Sequence, residues 1–316
     1  MTKKTTRVCH YNKLSITMNG NIYPCCSAPS HAKIGNIFDD DIFEKIENTQ
    51  VICECKMYKS IAQTCDDKVD LKILHFETSN ICQANCVCCP QNKNKLQNED
   101  EYLLKIRQLI EHFKPKSINV IGGEVLVQQS ALDMLFDLQK KYPDMEITTI
   151  TNLCVNDEQI KQAERIFNRM TVSFLGFSKL IYKNEMGLDF EKTMKNFKYL
   201  YDNKKVSLLP KYLAMPTNLF DIVPFFEWAL GLNVEKIYLH NIHEFAQVAN
   251  LEHKYWNRTF EIVEKQIKYL LKVNKDKIIS KQKHFISIHQ ILADKLHITP
   301  EYLQENNFDK IIFITN

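Results

Sequence analysis

From residue 71 onward the sequence alternates short β-branched or apolar runs with longer stretches of helical periodicity, a rhythm that few folds accommodate. The strand-like runs are 71–76 (LKILHF), 117–121 (SINVI), 146–151 (EITTIT), 170–174 (MTVSF), 206–213 (VSLLPKYL) and 235–240 (EKIYLH). Helical patterns fall near 99–113, 128–141, 156–168, 189–203 and 219–231, the last with Phe220, Val223, Phe226 and Leu230 at helical spacing. Six βα repeats with short links predict an α/β fold with a parallel sheet, and at this length a partial (β/α)6 barrel over 69–245. In such folds reactive residues stand at the C-terminal ends of strands.

The ends of the chain read differently. LSITMNGNIYPCC looks like two strands joined by an Asn-Gly turn, and IGNIFDDDIFEKIEN like a capped amphipathic helix. Residues 1–68 are therefore expected to be a small separate Cys-rich α+β module, of a size that a bound metal would stabilise. Residues 246–316 are expected to be a helical extension, with a long helix near 252–275, ending in the strand-like IIFIT.

Ten of the eleven cysteines precede residue 90, and only Cys154 lies beyond. A disulfide framework needs an export signal, and no apolar run follows the basic N-terminus, so a cytoplasmic location is expected. No apolar stretch is long enough to span a membrane, which predicts no membrane partner. The 41 Lys and Arg against 38 Asp and Glu are interspersed, so charge gives no reason to expect nucleic acid. Clustered thiols in a reducing compartment point to zinc or iron–sulfur chemistry.

The densest group is ETSNICQANCVCCP, with Cys82-x3-Cys86-x2-Cys89 directly after the first repeat strand. Three thiolates on one loop can hold three irons of a 4Fe-4S cube and leave the fourth open, whereas structural zinc requires four closed ligands. This loop resembles that of the radical SAM superfamily, whose open iron chelates S-adenosylmethionine. Thr78-Ser79-Asn80 and Pro90 are also similar to the flanks of that family's loop. Cys88 stands where the family usually carries a large side chain, which leaves Cys88 or Cys89 as third ligand; only Cys89 gives the superfamily spacing. A zinc loop completed by an N-terminal cysteine is the alternative.

The resemblance extends to Gly122-Gly123-Glu124, 33 residues after Cys89 and at the end of the next strand, where the family binds the methionine amino group. Val125 replaces the usual proline. It further implies Ser173 near the ribose or carboxylate of the cofactor, Asn152 at the third strand end, and Lys211 facing the cofactor carboxylate. Each has a plainer reading, as a strand-terminating hydrogen bond or a solvated charge.

In the N-terminal region Cys9, Gly20 and Cys25, followed by Cys53, Cys55 and Cys65, resemble the SPASM/twitch module that carries auxiliary 4Fe-4S clusters, though that module usually follows the barrel. Gly20 would allow the hairpin that brings Cys9 and Cys25 onto neighbouring strands, and Cys26 would point to the other face. One auxiliary cluster is expected, with zinc as the alternative.

The family resemblance implies reductive cleavage of S-adenosylmethionine to a 5′-deoxyadenosyl radical that abstracts hydrogen from a substrate. It implies as partners a reductant such as flavodoxin or ferredoxin and a peptide, protein or small-molecule substrate, with sugar or aminocyclitol oxidation as a further possibility. A non-catalytic redox sensor would have no use for the Gly-Gly-Glu. Cys154 is either a buried small hydrophobe or a thiol donating hydrogen to a substrate radical.

Overall fold

The structure is a computed structural model that describes residues 8–9, 13–24, 33–48, 51–52, 71–89, 99–241, 253–280, 285–308 and 310–314. These residues form β1 (Val8–Cys9), β2 (Lys13–Ile16), β3 (Asn21–Tyr23), β4 (Gly35–Asn36), α1 (Ile42–Asn48), β5 (Val51–Ile52), β6 (Ile73–Glu77), α2 (Glu99–Phe113), β7 (Ser117–Ile121), α3 (Gln129–Lys141), β8 (Glu146–Thr151) and α4 (Asp157–Ile166). There follow β9 (Arg169–Phe174), α5 (Lys179–Met186), α6 (Phe190–Asn203), β10 (Ser207–Ala214), α7 (Ile222–Gly231), β11 (Lys236–Asn241), α8 (His253–Val273), α9 (Lys275–Ser280), β12 (Phe285–His289), α10 (Gln290–Lys295), α11 (Pro300–Glu305) and β13 (Ile311–Ile314). Among the described residues no helix is long and apolar enough to cross a membrane.

The chain divides into two compact units, the first drawn from Met1–Cys82, Gln91–Thr149 and Lys161–Asn168 and the second from Gln83–Pro90, Ile150–Ile160 and Arg169–Asn316. In the first unit β2, β6, β7 and β8 run parallel in that order, and the edge is extended by β3, antiparallel to β2, and β4, antiparallel to β3. In the second unit β9 to β13 are parallel and pair in sequence order. Both units are thus α/β with parallel strands, as the alternation predicts.

The separate N-terminal module is corrected by the pairing of β2 with β6. Leu14 stands opposite Leu74 and Ile16 opposite Phe76, and all four are fully buried. A hairpin this short cannot bury its own apolar face; docked on β6, side chains such as Leu14, Ile16 and Ile22 each contribute about 1.5–3 kcal/mol. Its turn matches expectation, with Gly20 at φ +77. Cys9, however, is not on the hairpin. It lies in β1, which pairs antiparallel with β5 and sets Cys9 opposite Val51. Cys25, Cys26, Cys53, Cys55 and Cys65 lie outside the described residues.

The helical C-terminal extension is likewise corrected. Besides α8 to α11, residues 285–289 (FISIH) form β12 and pair with β11, and β13 pairs with β12. Ile286 and Ile288 carry the apolar face of that strand onward from Ile237 and Leu239, all four fully buried. The β-branched alternation in FISIH is the physical signal for a strand there.

Candidate active site

In the first unit the ladder between β6 and β7 continues past the ends of both strands. Thr78 N–H donates to the Ile121 carbonyl at 2.8 Å, Gly123 N–H to Ser79 O at 2.6 Å and Glu124 N–H to Ile81 O at 2.7 Å. Thr78, Ser79 and Asn80 are buried, and Ser79 Oγ accepts from Ile81 N–H at 3.0 Å. The two glycines are what permit this closure. A Cβ at Gly122, whose φ is +121, would lie 2.4 Å from the Ser79 carbonyl oxygen, and one at Gly123 would lie 2.1 Å from that of Ile81. The close backbone approach inferred from the Gly-Gly pair is therefore made to the neighbouring loop, the one that leads into Cys82.

Glu124 is 1% exposed, and its Oε1 accepts from Leu126 N–H at 3.2 Å, capping the short 3-10 turn Val125–Val127. The carboxylate thus has a local duty in holding the loop. The backbone carbonyls of Gly122 and Gly123 accept no hydrogen bond from the described residues. Replacing Glu124 by Gln, which keeps an acceptor oxygen, should leave S-adenosylmethionine affinity within about twofold, whereas Ala should lower stability by about 1 kcal/mol through the lost cap. Equilibrium dialysis and thermal unfolding distinguish the two; a large affinity loss in Glu124→Gln would show that the charge itself serves the ligand.

In the second unit the remainder of the cysteine loop is clipped to the end of α5, a helix that the periodicity reading overlooked. Asn85 N–H donates to the Met186 carbonyl at 2.8 Å and Val87 N–H to that of Glu185 at 3.0 Å, so carbonyls that a helix end leaves unpaired are satisfied by the loop. Gly187 ends the helix at φ +71, and a Cβ there would approach Asn85 to 3.3 Å. The signal was present in sequence: Ser178 caps the N-terminus, accepting from Ile181 N–H, and glycine follows the last turn. Cys89 N–H closes a turn onto the Cys86 carbonyl at 3.1 Å.

None of Cys82, Cys86, Cys88, Cys89 and Cys154 is in a disulfide. Cys82, Cys86 and Cys88 are partly exposed and Cys89 exposed. Burial first, with the neighbouring Cys89 and Glu185 charges, pushes the Cys88 thiol up to about 11. Of the neighbours Cys88 and Cys89, Cys89 is the more exposed. Among the described residues no three His, Cys, Asp or Glu side chains already converge as a metal cage. The donor set itself, three accessible thiols on eight consecutive residues, fits an iron–sulfur cube with one open iron.

Asn152 is buried, and its Oδ1 accepts from Cys154 N–H at 2.9 Å and from Gln83 Nε2 at 3.0 Å. Gln83 also donates to the Cys154 carbonyl at 3.1 Å. Asn152 therefore ties its strand end to the cysteine loop, a positioning role. Cys154 is 8% exposed and its thiol faces the Asp189 carbonyl at 3.7 Å, the surroundings of a packed side chain. Ser173 and Lys211 stand opposite each other in the β9–β10 register, both partly exposed. Burial holds the Lys211 amine below its usual range, opposed by the Cys88 thiol nearby.

Residues 76–228 match the sequence model of the radical SAM superfamily. No curated protein matches the chain in sequence. Among solved structures the chain is similar to Streptococcus suis SuiB bound to S-adenosylmethionine, at TM-score 0.50 and 12% identity over 77% of this chain and 50% of that one. The same protein bound to precursor peptide SuiA gives TM-score 0.50 and 12% identity over 77% and 57%. The chain thus spans about half the length of SuiB, and at this identity the likeness is one of fold. The cysteine loop and the strand-end glycines thus both lie within the stretch, residues 76–228, that is similar in sequence to the radical SAM superfamily.

Proposed function

We propose that the protein is a radical SAM enzyme that cleaves S-adenosylmethionine reductively and removes a hydrogen atom from a peptide or protein substrate. The observation that carries this reading is the closed double loop of the first unit, where Ser79 and Ile81, the residues leading into Cys82, are hydrogen-bonded to Gly123 and Glu124. A redox sensor needs thiols but has no need of a strand-end glycine pair bonded to their loop.

When bound, a 4Fe-4S cluster would supply the single electron that reductive cleavage of S-adenosylmethionine requires. Cys82, Cys86 and Cys89 would hold that cluster. The Gly122 and Gly123 carbonyls would accept from the methionine ammonium, and Ser173 and Lys211 would meet the ribose and carboxylate. Asn152 and α5 hold the loop in place.

A peptide substrate is supported by the fold shared with SuiB, whose structure holds a precursor peptide. Cys9, Cys25, Cys53, Cys55 and Cys65 are proposed to carry one auxiliary cluster. The β1–β5 pairing supports Cys9 in that set, because it sets Cys9 opposite Val51, two positions before Cys53 in sequence. A flavodoxin or ferredoxin is the proposed reductant.

The test is anaerobic. Reconstituted protein reduced with dithionite should convert S-adenosylmethionine to 5′-deoxyadenosine over repeated assays, read by chromatography. Iron-loaded protein that binds S-adenosylmethionine yet forms no 5′-deoxyadenosine would refute the catalytic reading.

A further inference from the structure

Across β2, β6, β7 and β8 of the first unit the alternation of side chains makes two unlike faces. On one, Leu14, Leu74, Ile118 and Ile147 stand in a row, all fully buried. On the other the neighbouring row is polar: Ser15 stands opposite His75, His75 opposite Asn119, and Asn119 opposite Thr148. His75, Asn119 and Thr148 keep part of their surface exposed, as does Glu77, two residues beyond His75 at the end of β6. Parallel strands covered on both sides read as continuous apolar runs, so a polar row here marks a face that is not core.

The row is organised around the imidazole. Thr148 Oγ1–H donates to Asn119 Oδ1 at 3.2 Å, which fixes the amide, and Asn119 Nδ2–H donates to His75 Nδ1 at 3.0 Å. An amide nitrogen only donates, so Nδ1 is the accepting nitrogen and the ring proton sits on Nε2. Burial first, then the Lys13 charge, brings His75 down to about 4, so the ring is neutral near pH 7. Its Nε2–H has no hydrogen-bond partner among the described residues. Neither has Oε1 of Glu77, whose Oε2 accepts from Met18 N–H at 2.8 Å. The face thus offers one fixed donor and, two residues on, one anchored acceptor.

We propose that this face binds an extended peptide segment, with His75 Nε2–H donating to a peptide carbonyl, Glu77 Oε1 accepting a peptide N–H, and Asn119 as the positioning residue that sets the imidazole. Residues two apart on a strand lie about 7 Å apart, and an extended peptide repeats its own C=O and N–H groups at the same interval. A polyol could use the same donor and acceptor but has no such repeat. That the bound peptide is the substrate rests on the proposed function; the hydrogen-bonding face does not.

The experiment uses cluster-reconstituted protein labelled with 15N at its ten histidines, titrated with the uncharged peptide N-acetyl-trialanine amide or with glycerol. The His75 signal is assigned by its loss in His75→Gln. The free protein should show His75 as the Nε2–H tautomer, and the peptide, but not glycerol, should shift that signal saturably. By equilibrium dialysis His75→Leu should bind the peptide about fivefold more weakly, the loss of one net hydrogen bond. His75→Gln, whose amide can donate from nearly the same point, should stay within about twofold, a rescue that a merely structural histidine would not show. Asn119→Leu should leave His75 as a mixture of tautomers and weaken binding about threefold. An Nδ1–H tautomer, no shift with peptide, an equal shift with glycerol, or equal peptide affinity in the unmodified protein and His75→Leu would each overturn the proposal. The spectra of the unmodified protein decide it if His75→Leu fails to fold. Peptide binding in a protein that forms no 5′-deoxyadenosine would defeat the catalytic reading while leaving the peptide face standing.

Discussion

Replacing Cys82, Cys86 and Cys89 together by alanine should abolish 5′-deoxyadenosine formation and remove about four irons per chain, the content of one cube. If the N-terminal cysteines carry a second cube, the iron content falls from about eight to about four. Cys88→Ala is the contrast. Only Cys89 completes the Cys82-x3-Cys86-x2-Cys89 spacing, so the Cys88 variant should keep its iron and its cleavage activity. Iron and cleavage that survive in the triple variant would place the cluster elsewhere; a loss of iron in Cys88→Ala equal to that in Cys89→Ala would move the third ligand to Cys88.

Gly123→Ala should be the most damaging single exchange outside the cysteines. The added Cβ would fall 2.1 Å from the Ile81 carbonyl oxygen, far inside any real contact, and the obstacle is backbone. Relief requires opening the bonds from Gly123 to Ser79 and from Glu124 to Ile81, so a stability loss of about 3 kcal/mol is expected, at the upper end for overpacking. S-adenosylmethionine affinity should fall with it. Gly231→Ala is the matched control, since nothing lies within 4 Å of a Cβ there and the residue ends α7. It should be neutral or gain a few tenths of a kcal/mol. Equal thermal midpoints for the two variants would show that the loops are looser than their packing implies.

Where periodicity and local turn chemistry carry the information, the sequence is easily read. The strands Ser117–Ile121 and Glu146–Thr151 have the bounds expected from their apolar alternation, and Asn19-Gly20 makes the turn it promises. What the sequence conceals is pairing between distant segments. Nothing within residues 13–23 says that β2 will lie against β6, because Leu14 and Ile16 would look the same in an isolated hairpin. FISIH was hidden for another reason, being a five-residue run among helical fragments whose status as a strand depends on β11 beside it. The helix α5 escaped because Leu180 is exposed and the apolar stripe is correspondingly thin, although its caps were legible.

At the candidate site, residue types were legible and their duties less so. Glu124 was expected to face a ligand; its Oε1 also accepts from Leu126 N–H. Asn152 was expected beside the cofactor; its Oδ1 also accepts from Gln83 Nε2 and Cys154 N–H. The partners in these contacts, Leu126 and Gln83, are not part of any motif.

The contact between Gly123 and Ile81 also limits how this pair of loops can change over generations. Most tight spots in a protein can be relieved by trimming the neighbour, so a damaging substitution acquires compensating ones elsewhere. Here the neighbour is a main-chain carbonyl, which every amino acid carries, and no choice of residue at position 81 withdraws it. Second-site rescue of a Gly123 variant must therefore come from altered loop length, through insertion or deletion, and the two loops can diverge only together.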